Sequence, residues 1–151
     1  MQKLKYILLV EDNLYDAELI ITGLEENNLA NGIIHVRDGE EALDYLYCRG
    51  QFNGRTDGNP AVILLDLNLP KVSGFEVLRQ IKTDEGFKFI PVVILTSSRE
   101  DKDIVEGYTL GTNGYVVKPI NFHQFVDVIK QLGAFWAVIN EPPPTRGCIT
   151  K

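Results

Sequence analysis

The sequence predicts an α/β fold, a doubly wound five-stranded parallel sheet with helices on both faces. Short apolar runs typical of strands alternate five times with longer segments of helical periodicity, which favours parallel strands joined by right-handed crossovers. The run Val62–Leu65 is continuously apolar rather than alternating, as is typical of a strand buried on both faces. Polar side chains follow four of the five runs, so chemistry is expected at the carboxyl edge of the sheet.

The predicted elements follow one another along the whole chain. The strands are expected at 5–10, 33–36, 62–65, 91–95 and 114–117. Asn13, Asp38 and Asn121 each precede a helical segment and are expected to cap it, since their short polar side chains accept hydrogen bonds from free helical N–H groups. The connection at 49–60 is longer than most links between a helix and a strand, so it is either functional or disordered.

Length and composition describe one globular domain. With 151 residues, 44% of them apolar, the chain can bury a core of its own. A net charge of −6 argues against nucleic-acid binding, because phosphates need a basic surface. No apolar run is long enough for a membrane span or a signal-peptide core. Cys48 and Cys148 lack metal-ligand spacing, so we expect two incidental thiols in the reducing cytoplasm.

The strand ends carry a set of residues suited to phosphoryl transfer. Glu11-Asp12 follows the first strand, Asp66 the third, Thr96 the fourth and Lys118 the fifth. Carboxylates gathered at one edge repel one another unless a cation lies among them, and an oxygen-only donor set suits Mg²⁺. With Mg²⁺, a lysine and a hydroxyl to neutralise phosphoryl oxygens, the Asp66 carboxylate can act as the nucleophile.

Across about residues 4–139, these motifs resemble the receiver domain of two-component response regulators: Glu11-Asp12, Asp66-x-Asn68-x-Pro70 with Gly74 after it, Thr96-Ser97 and Lys118-Pro119. The resemblance implies the flavodoxin-like strand order 2-1-3-4-5 and Asp66 as phospho-acceptor. It implies Mg²⁺ bound directly by Asp12, Asp66 and the backbone carbonyl of Asn68. Glu11, where many receivers have Asp, is expected to reach the metal through water. Thr96 becomes the switch hydroxyl, Tyr115 the aromatic that moves with it, and Lys118 the phosphate-contacting lysine. The Lys118–Pro119 bond matches a position that is usually cis.

The resemblance also implies a signalling role rather than an enzyme beyond self-phosphorylation and self-dephosphorylation. We expect a receiver domain at 1–140, a proline-containing tail at 141–151 and no output domain. The long loop, the Asn68-Leu69-Pro70 segment and the proline tail resemble stand-alone regulators paired with phytochrome histidine kinases. The expected partner is therefore a sensor histidine kinase, with a bacterial phytochrome as the narrower candidate.

The last helix predicts a second kind of partner. Its apolar residues form two adjacent stripes, and two stripes make a face wider than one core contact needs. One interpretation is an unusually well-buried helix. The other is a two-fold homodimer surface, whose candidate residues are Phe125, Phe135, Trp136 and Ile139.

Two other functions compete with the signalling receiver. A phosphohydrolase of the haloacid-dehalogenase type also forms an aspartyl-phosphate with Mg²⁺, but it places an Asp-x-Asp nucleophile on its first strand. Here the acidic pair comes first, and Asn68 stands where the second aspartate would be. A receiver-like scaffold that is never phosphorylated would not need Asp66, Thr96 and Lys118 together.

Overall fold

Five parallel strands form one sheet in the order β2-β1-β3-β4-β5, as the sequence predicts. The computed structural model describes residues 5–27 and 32–144. The strands are β1 Ile7–Val10, β2 Ile33–Val36, β3 Val62–Leu65, β4 Val92–Thr96 and β5 Gly114–Val117. The helices are α1 Leu14–Glu26, α2 Gly39–Leu46, α3 Gly74–Thr83, α4 Asp101–Thr109 and α5 Phe122–Gly133.

Alternating side chains of the strands enter two separate core layers. Leu8 and Val10 of β1 pack in the layer that α2 and α3 cover, whereas Ile7 and Leu9 pack in the layer that α1 and α5 cover. Successive residues of a strand point to opposite faces, so a strand between two helical layers must be apolar at every position. This explains the continuous apolar runs of the sequence.

The three predicted caps are confirmed. Asn13 Oδ1 accepts a hydrogen bond from the Asp16 N–H at 3.0 Å at the start of α1. Asp38 and Asn121 make the equivalent bonds at 2.8 and 3.1 Å at the starts of α2 and α5. These bonds set where each helix begins, and the helix start after β1 lies beside the carboxyl edge of the sheet.

The last helix continues from α5 into a π-helical segment, Ala134–Ile139. Its buried positions are Phe125, Ile129, Gly133 and Ala137, four residues apart. This spacing overshoots an α-helical turn of about 3.6 residues, and the wider π turn compensates for it. A single face therefore stays on the sheet along the helix.

This geometry corrects the candidate dimer surface. Phe125 is only 5% exposed and belongs to the core, so its assignment to the surface is wrong. Trp136 is partly buried against the same core. Phe135 and Ile139, at 46% and 69% exposure, do lie on the surface. The sequence shows two stripes but not the change of helical pitch that decides which residues face the sheet.

The long loop between α2 and β3 is ordered around Arg55. Its guanidinium donates to the backbone carbonyls of Tyr45 (2.6 Å), Gly58 (2.8 Å) and Leu46 (3.4 Å), and to Asp57 Oδ1 (2.6 Å). It also lies 3.9 Å from the centroid of the Tyr45 ring. The loop contains a short 3₁₀ helix, Gly50–Phe52. The loop is therefore held in a defined conformation, and it lies at the amino edge of the sheet, where the strands begin.

Two smaller expectations are wrong. No peptide bond within 5–27 and 32–144 is cis, so the Lys118–Pro119 bond takes the trans form that X–Pro bonds favour by about 0.5–1 kcal/mol. Cys48 is disulfide-bonded rather than an incidental thiol. Cys148 and residues 145–151 of the predicted tail lie outside the described residues.

No helix in the described part is long and apolar enough to cross a membrane.

We predict that Arg55→Ala lowers the free energy of unfolding by about 2–3 kcal/mol, because it removes the hydrogen bonds that Arg55 donates to three carbonyls and one carboxylate. Equilibrium urea denaturation measures the loss. The matched control is Arg49→Ala, since the Arg49 side chain is 57% exposed and pairs with Asp44 at the surface. We expect that change to cost about 0.5 kcal/mol. Equal losses for the two variants would contradict the structural role of Arg55.

Candidate functional site

The register of the strands brings four parts of the chain together at the carboxyl edge. Val10 lies opposite Leu65, so Glu11 and Asp66 are neighbours one residue beyond the paired strands. Thr96 lies opposite Val117, which places Lys118 beside the end of β4. Backbone hydrogen bonds from Asp66 N–H to Val10 O and from Lys118 N–H to Thr96 O, at 3.1 and 2.7 Å, extend these pairings into the site.

The Lys118 ammonium is the centre of the site. Its Nζ donates to Glu11 Oε1 at 2.7 Å, to Asp16 Oδ2 at 2.9 Å and to Asp66 Oδ2 at 3.2 Å. An ammonium has three N–H donors, so all of them are used. The side chains of Glu11, Asp66 and Lys118 are each less than a tenth exposed, so these charges interact with little solvent screening.

Asp66 is oriented by its own backbone as well as by Lys118. Its Oδ1 accepts hydrogen bonds from the N–H groups of Leu67 (2.7 Å) and Asn68 (3.4 Å). The second oxygen, Oδ2, faces Lys118. The two oxygens are therefore distinct: one is fixed by the loop, and the other lies beside the cation.

Gly74 lets the first turn of α3 pack directly on this loop. Its N–H donates to Leu67 O at 3.0 Å. A Cβ on Gly74 would lie 2.3 Å from Asp66 O and 2.6 Å from Leu67 Cα, distances that no side chain can occupy. The glycine that the sequence places after Pro70 is thus required for the backbone geometry of Asp66.

The site holds more negative than positive charge among its buried groups. Burial and the charge of Asp66 raise the pKa of Glu11 to about 7, against the lowering effect of Lys118. Burial alone would lower the pKa of Lys118, but the hydrogen bond with Glu11 and the charge of Asp66 raise it above its usual value. Burial and the neighbouring Asp66 thus disfavour the charged form of Glu11, whereas the surrounding carboxylates favour the charged form of Lys118.

Thr96 and Tyr115 occupy the neighbouring strand ends. Thr96 is fully buried, and its Oγ1 accepts a hydrogen bond from the Ser98 N–H at 3.4 Å. The Tyr115 ring packs against the core, and its hydroxyl donates to Ser98 O at 3.1 Å. The segment after β4 therefore connects the predicted switch hydroxyl with the predicted switch aromatic.

The residues predicted to bind metal have oxygen donors of the kind that Mg²⁺ takes. Asp12 and Asn68 are exposed at the edge next to buried Asp66. No group of three or more His, Cys, Asp or Glu side chains within the described ranges is arranged for a metal ion. Mg²⁺ is typically held by one or two carboxylates and water, so the Asp12 and Asp66 carboxylates with the Asn68 carbonyl fit this ion. Glu11 is less available to a metal ion than these groups, because its Oε1 contacts Lys118 and its Oε2 accepts a hydrogen bond from the Asn13 N–H at 3.1 Å.

Asp16 is the site residue that the motifs do not include. Its carboxylate contacts Lys118, although the sequence suggests only a favourable interaction with the α1 dipole. Its position was the available signal: Asp16 is an acidic residue in the first turn of the helix that begins directly after the acidic pair.

Comparisons with known proteins agree with this geometry. The response regulator receiver domain family matches residues 7–130. The "Probable methanogenesis regulatory protein FilR2" of Methanothrix harundinacea is 42% identical over 137 residues, covering 91% of this chain and 86% of that protein. The response regulator Rcp1 of Synechocystis is 38% identical over 132 residues, covering 87% and 88% of the two chains.

Solved structures extend the similarity to three dimensions. The phosphorylated cyanobacterial phytochrome response regulator RcpA is 41% identical with a TM-score of 0.86, covering 93% of this chain and 99% of that one. The Mn²⁺-bound form of Rcp1 is 36% identical with a TM-score of 0.87 and the same coverage. The bacteriophytochrome response regulator RtBRR is 59% identical with a TM-score of 0.74, covering 93% and 85%.

We predict that Gly74→Ala destabilises the protein by about 3 kcal/mol, because the added methyl group forces the Asp66 backbone and α3 apart. Equilibrium urea denaturation measures the change. Gly114→Ala is the control, since a Cβ there meets Val93 at an ordinary distance of 3.6 Å. A Gly74→Ala variant as stable as Gly114→Ala would show that α3 does not need this close approach.

Proposed function

The chain belongs to the response regulator receiver domain family, and we propose that it accepts a phosphoryl group on Asp66 in a Mg²⁺-dependent reaction. The observation that carries this proposal is the Lys118 ammonium 3.2 Å from Asp66 Oδ2 at the carboxyl edge of the sheet. A lysine in this place can neutralise a phosphoryl oxygen, and the buried carboxylate can attack phosphorus. The similar protein RcpA has been crystallised in a phosphorylated form, which supports the same chemistry here.

The two Asp66 oxygens suggest separate tasks. Oδ1 is held by backbone N–H groups, so Oδ2 beside Lys118 is the oxygen that attacks. The new bond joins Oδ2 to phosphorus, and the bond from phosphorus to the donor breaks, its electron pair leaving with the donor. Lys118 then turns toward a phosphoryl oxygen. Mg²⁺, when bound at Asp12, Asp66 and Asn68, supplies charge neutralisation for the phosphoryl group.

The switch that follows phosphorylation would lie between β4 and β5. A Thr96 hydroxyl drawn to the phosphoryl group pulls on the segment at Ser98, to which Tyr115 donates a hydrogen bond. Helix α4 lies next to this segment, and its only buried residue is Gly107. A helix attached so lightly can shift at low cost, so the surface of α4 is the part that we expect to change.

The partner that fits these features is a sensor histidine kinase of the phytochrome type, in the cytoplasm. The support comes from two similar proteins, RcpA and RtBRR, which are described as phytochrome and bacteriophytochrome response regulators. In this role the chain is a signalling domain whose only chemistry is its own phosphorylation and dephosphorylation.

We predict that Asp66→Asn abolishes phosphorylation by acetyl phosphate with Mg²⁺, because an amide oxygen is too weak a nucleophile to replace the carboxylate. Intact-protein mass spectrometry detects the phosphoryl group, and its removal by hydroxylamine identifies an acyl phosphate. Asp44→Asn is the matched control, since Asp44 pairs with Arg49 at the surface of α2. Lys118→Ala should still bind Mg²⁺ but lose the surface change. Full phosphorylation of Asp66→Asn would disprove the assignment.

We also propose that the end of the last helix forms a homodimer. Phe135, Val138 and Ile139 are about half exposed or more, on a segment that follows directly from α5. We predict that Ile139→Asp prevents self-association, measured by size exclusion with light scattering before and after adding beryllofluoride with Mg²⁺. Phe89→Asp, at an exposed phenylalanine of another region, should leave it unchanged. A wild-type monomer under both conditions would rule out the dimer.

A further inference from the structure

The third carboxylate on Lys118 has no place in the family motif. Asp16 lies in the first turn of α1, and its side chain is 20% exposed, more than those of Glu11, Asp66 and Lys118. Its Oδ2 lies 2.9 Å from Lys118 Nζ, closer than Asp66. The contact joins a helix that starts after β1 to a lysine that follows β5, 102 residues away.

The local structure leaves Asp16 free to make this contact. A glutamate or glutamine at the third position of a helix commonly bonds back to the N–H of the capping residue. Here that N–H, on Asn13, donates to Glu11 Oε2 at 3.1 Å instead. Asn13 in turn accepts from the Asp16 N–H, which fixes the backbone of Asp16. Glu11 therefore accepts the hydrogen bond of the Asn13 N–H in place of a side chain at the third helical position. The Asp16 carboxylate contacts Lys118 instead.

The three carboxylates differ in what phosphorylation does to them. Asp66 becomes an acyl phosphate, so its bond to the ammonium, already the longest of the three, is replaced by one to the phosphoryl group. Glu11 belongs to the acidic pair at the metal site. Asp16 takes part in neither role, so it can hold Lys118 before and after transfer.

We propose that Asp16 is a positioning residue that holds the Lys118 ammonium against the phosphoryl group during its transfer to Asp66. The inference rests on the proposed function of Asp66. Asp16 fixes one of the three N–H donors, and this orients the other two. Without it, the lysine shares its charge between Glu11 and Asp66 alone and stays bound to the carboxylate that must react.

The first test uses the unphosphorylated protein and does not depend on transfer. In protein labelled with ¹⁵N at the lysine Nζ, we expect the Lys118 ammonium protons to exchange slowly enough for detection by NMR. Asp16→Asn should shift and broaden this signal. Glu18→Gln, which removes the same charge from an exposed position of α1, should leave it unchanged. Equal spectra for Asp16→Asn and the wild type would overturn the positioning role.

The second test measures the rate of phosphorylation by acetyl phosphate at saturating Mg²⁺. We expect Asp16→Ala to be about tenfold slower, as is typical for loss of a charge-assisted hydrogen bond, and Asp16→Asn to lie between it and the wild type. Glu18→Gln should remain within about twofold of the wild type. In a Lys118→Ala background, the Asp16 substitutions should have no further effect, because Asp16 acts through Lys118.

The outcomes separate the two proposals. If the wild type is phosphorylated but Asp16→Ala reacts as fast as Glu18→Gln, or faster than the wild type, the positioning role is wrong and the function of Asp66 stands. The same holds if Asp16→Ala slows the reaction equally with and without Lys118. If the wild type itself is not phosphorylated, both proposals fail.

Discussion

The buried ammonium of Lys118 is the interaction on which the arrangement of the carboxyl edge depends. Carboxylates that follow β1 and β3 and one from α1 converge there, and without a cation among them their mutual repulsion would oppose folding. One lysine satisfies all three while leaving a net negative charge. Burial and the charge of Asp66 both raise the pKa of Glu11, and the excess of negative charge is also what a divalent cation would neutralise. The same excess of negative charge leaves the carboxylates incompletely neutralised by Lys118 and favours the binding of a cation.

The parallel sheet makes this convergence possible. In-register pairing of β1 with β3 and of β4 with β5 brings residues far apart in sequence to one edge. Two features of the backbone then set the details. Gly74 lets α3 approach the Asp66 carbonyl, and the Asn13 cap fixes the first turn of α1. Small residues and caps, rather than the charged groups alone, determine where the charges lie.

The sequence predicts the strand order and most of the site, because apolar runs mark strands and the order of polar strand ends matches a known family. It fails where an outcome depends on geometry between elements. Asp16 carries no motif of its own, and its contact arises from the direction of α1 relative to β5. Phe125 belongs to one of two apolar stripes of the last helix, and only the packing of that helix shows that this residue faces the sheet.

The two ends of the parallel strands differ in structure, and the loop at 49–60 lies at the end where the strands begin. At the amino edge, Arg55 fastens the loop to carbonyls of α2, and the Tyr6 hydroxyl donates to Gly58 O. At the carboxyl edge, the proposed phosphorylation of Asp66 would replace its bond with the Lys118 ammonium. The first end is thus held by hydrogen bonds of Arg55 and Tyr6, and the second is the end that we propose to change. A partner that binds the amino edge would therefore contact groups that Arg55 holds in place, whereas the proposed phosphorylation acts first on the opposite end of the strands.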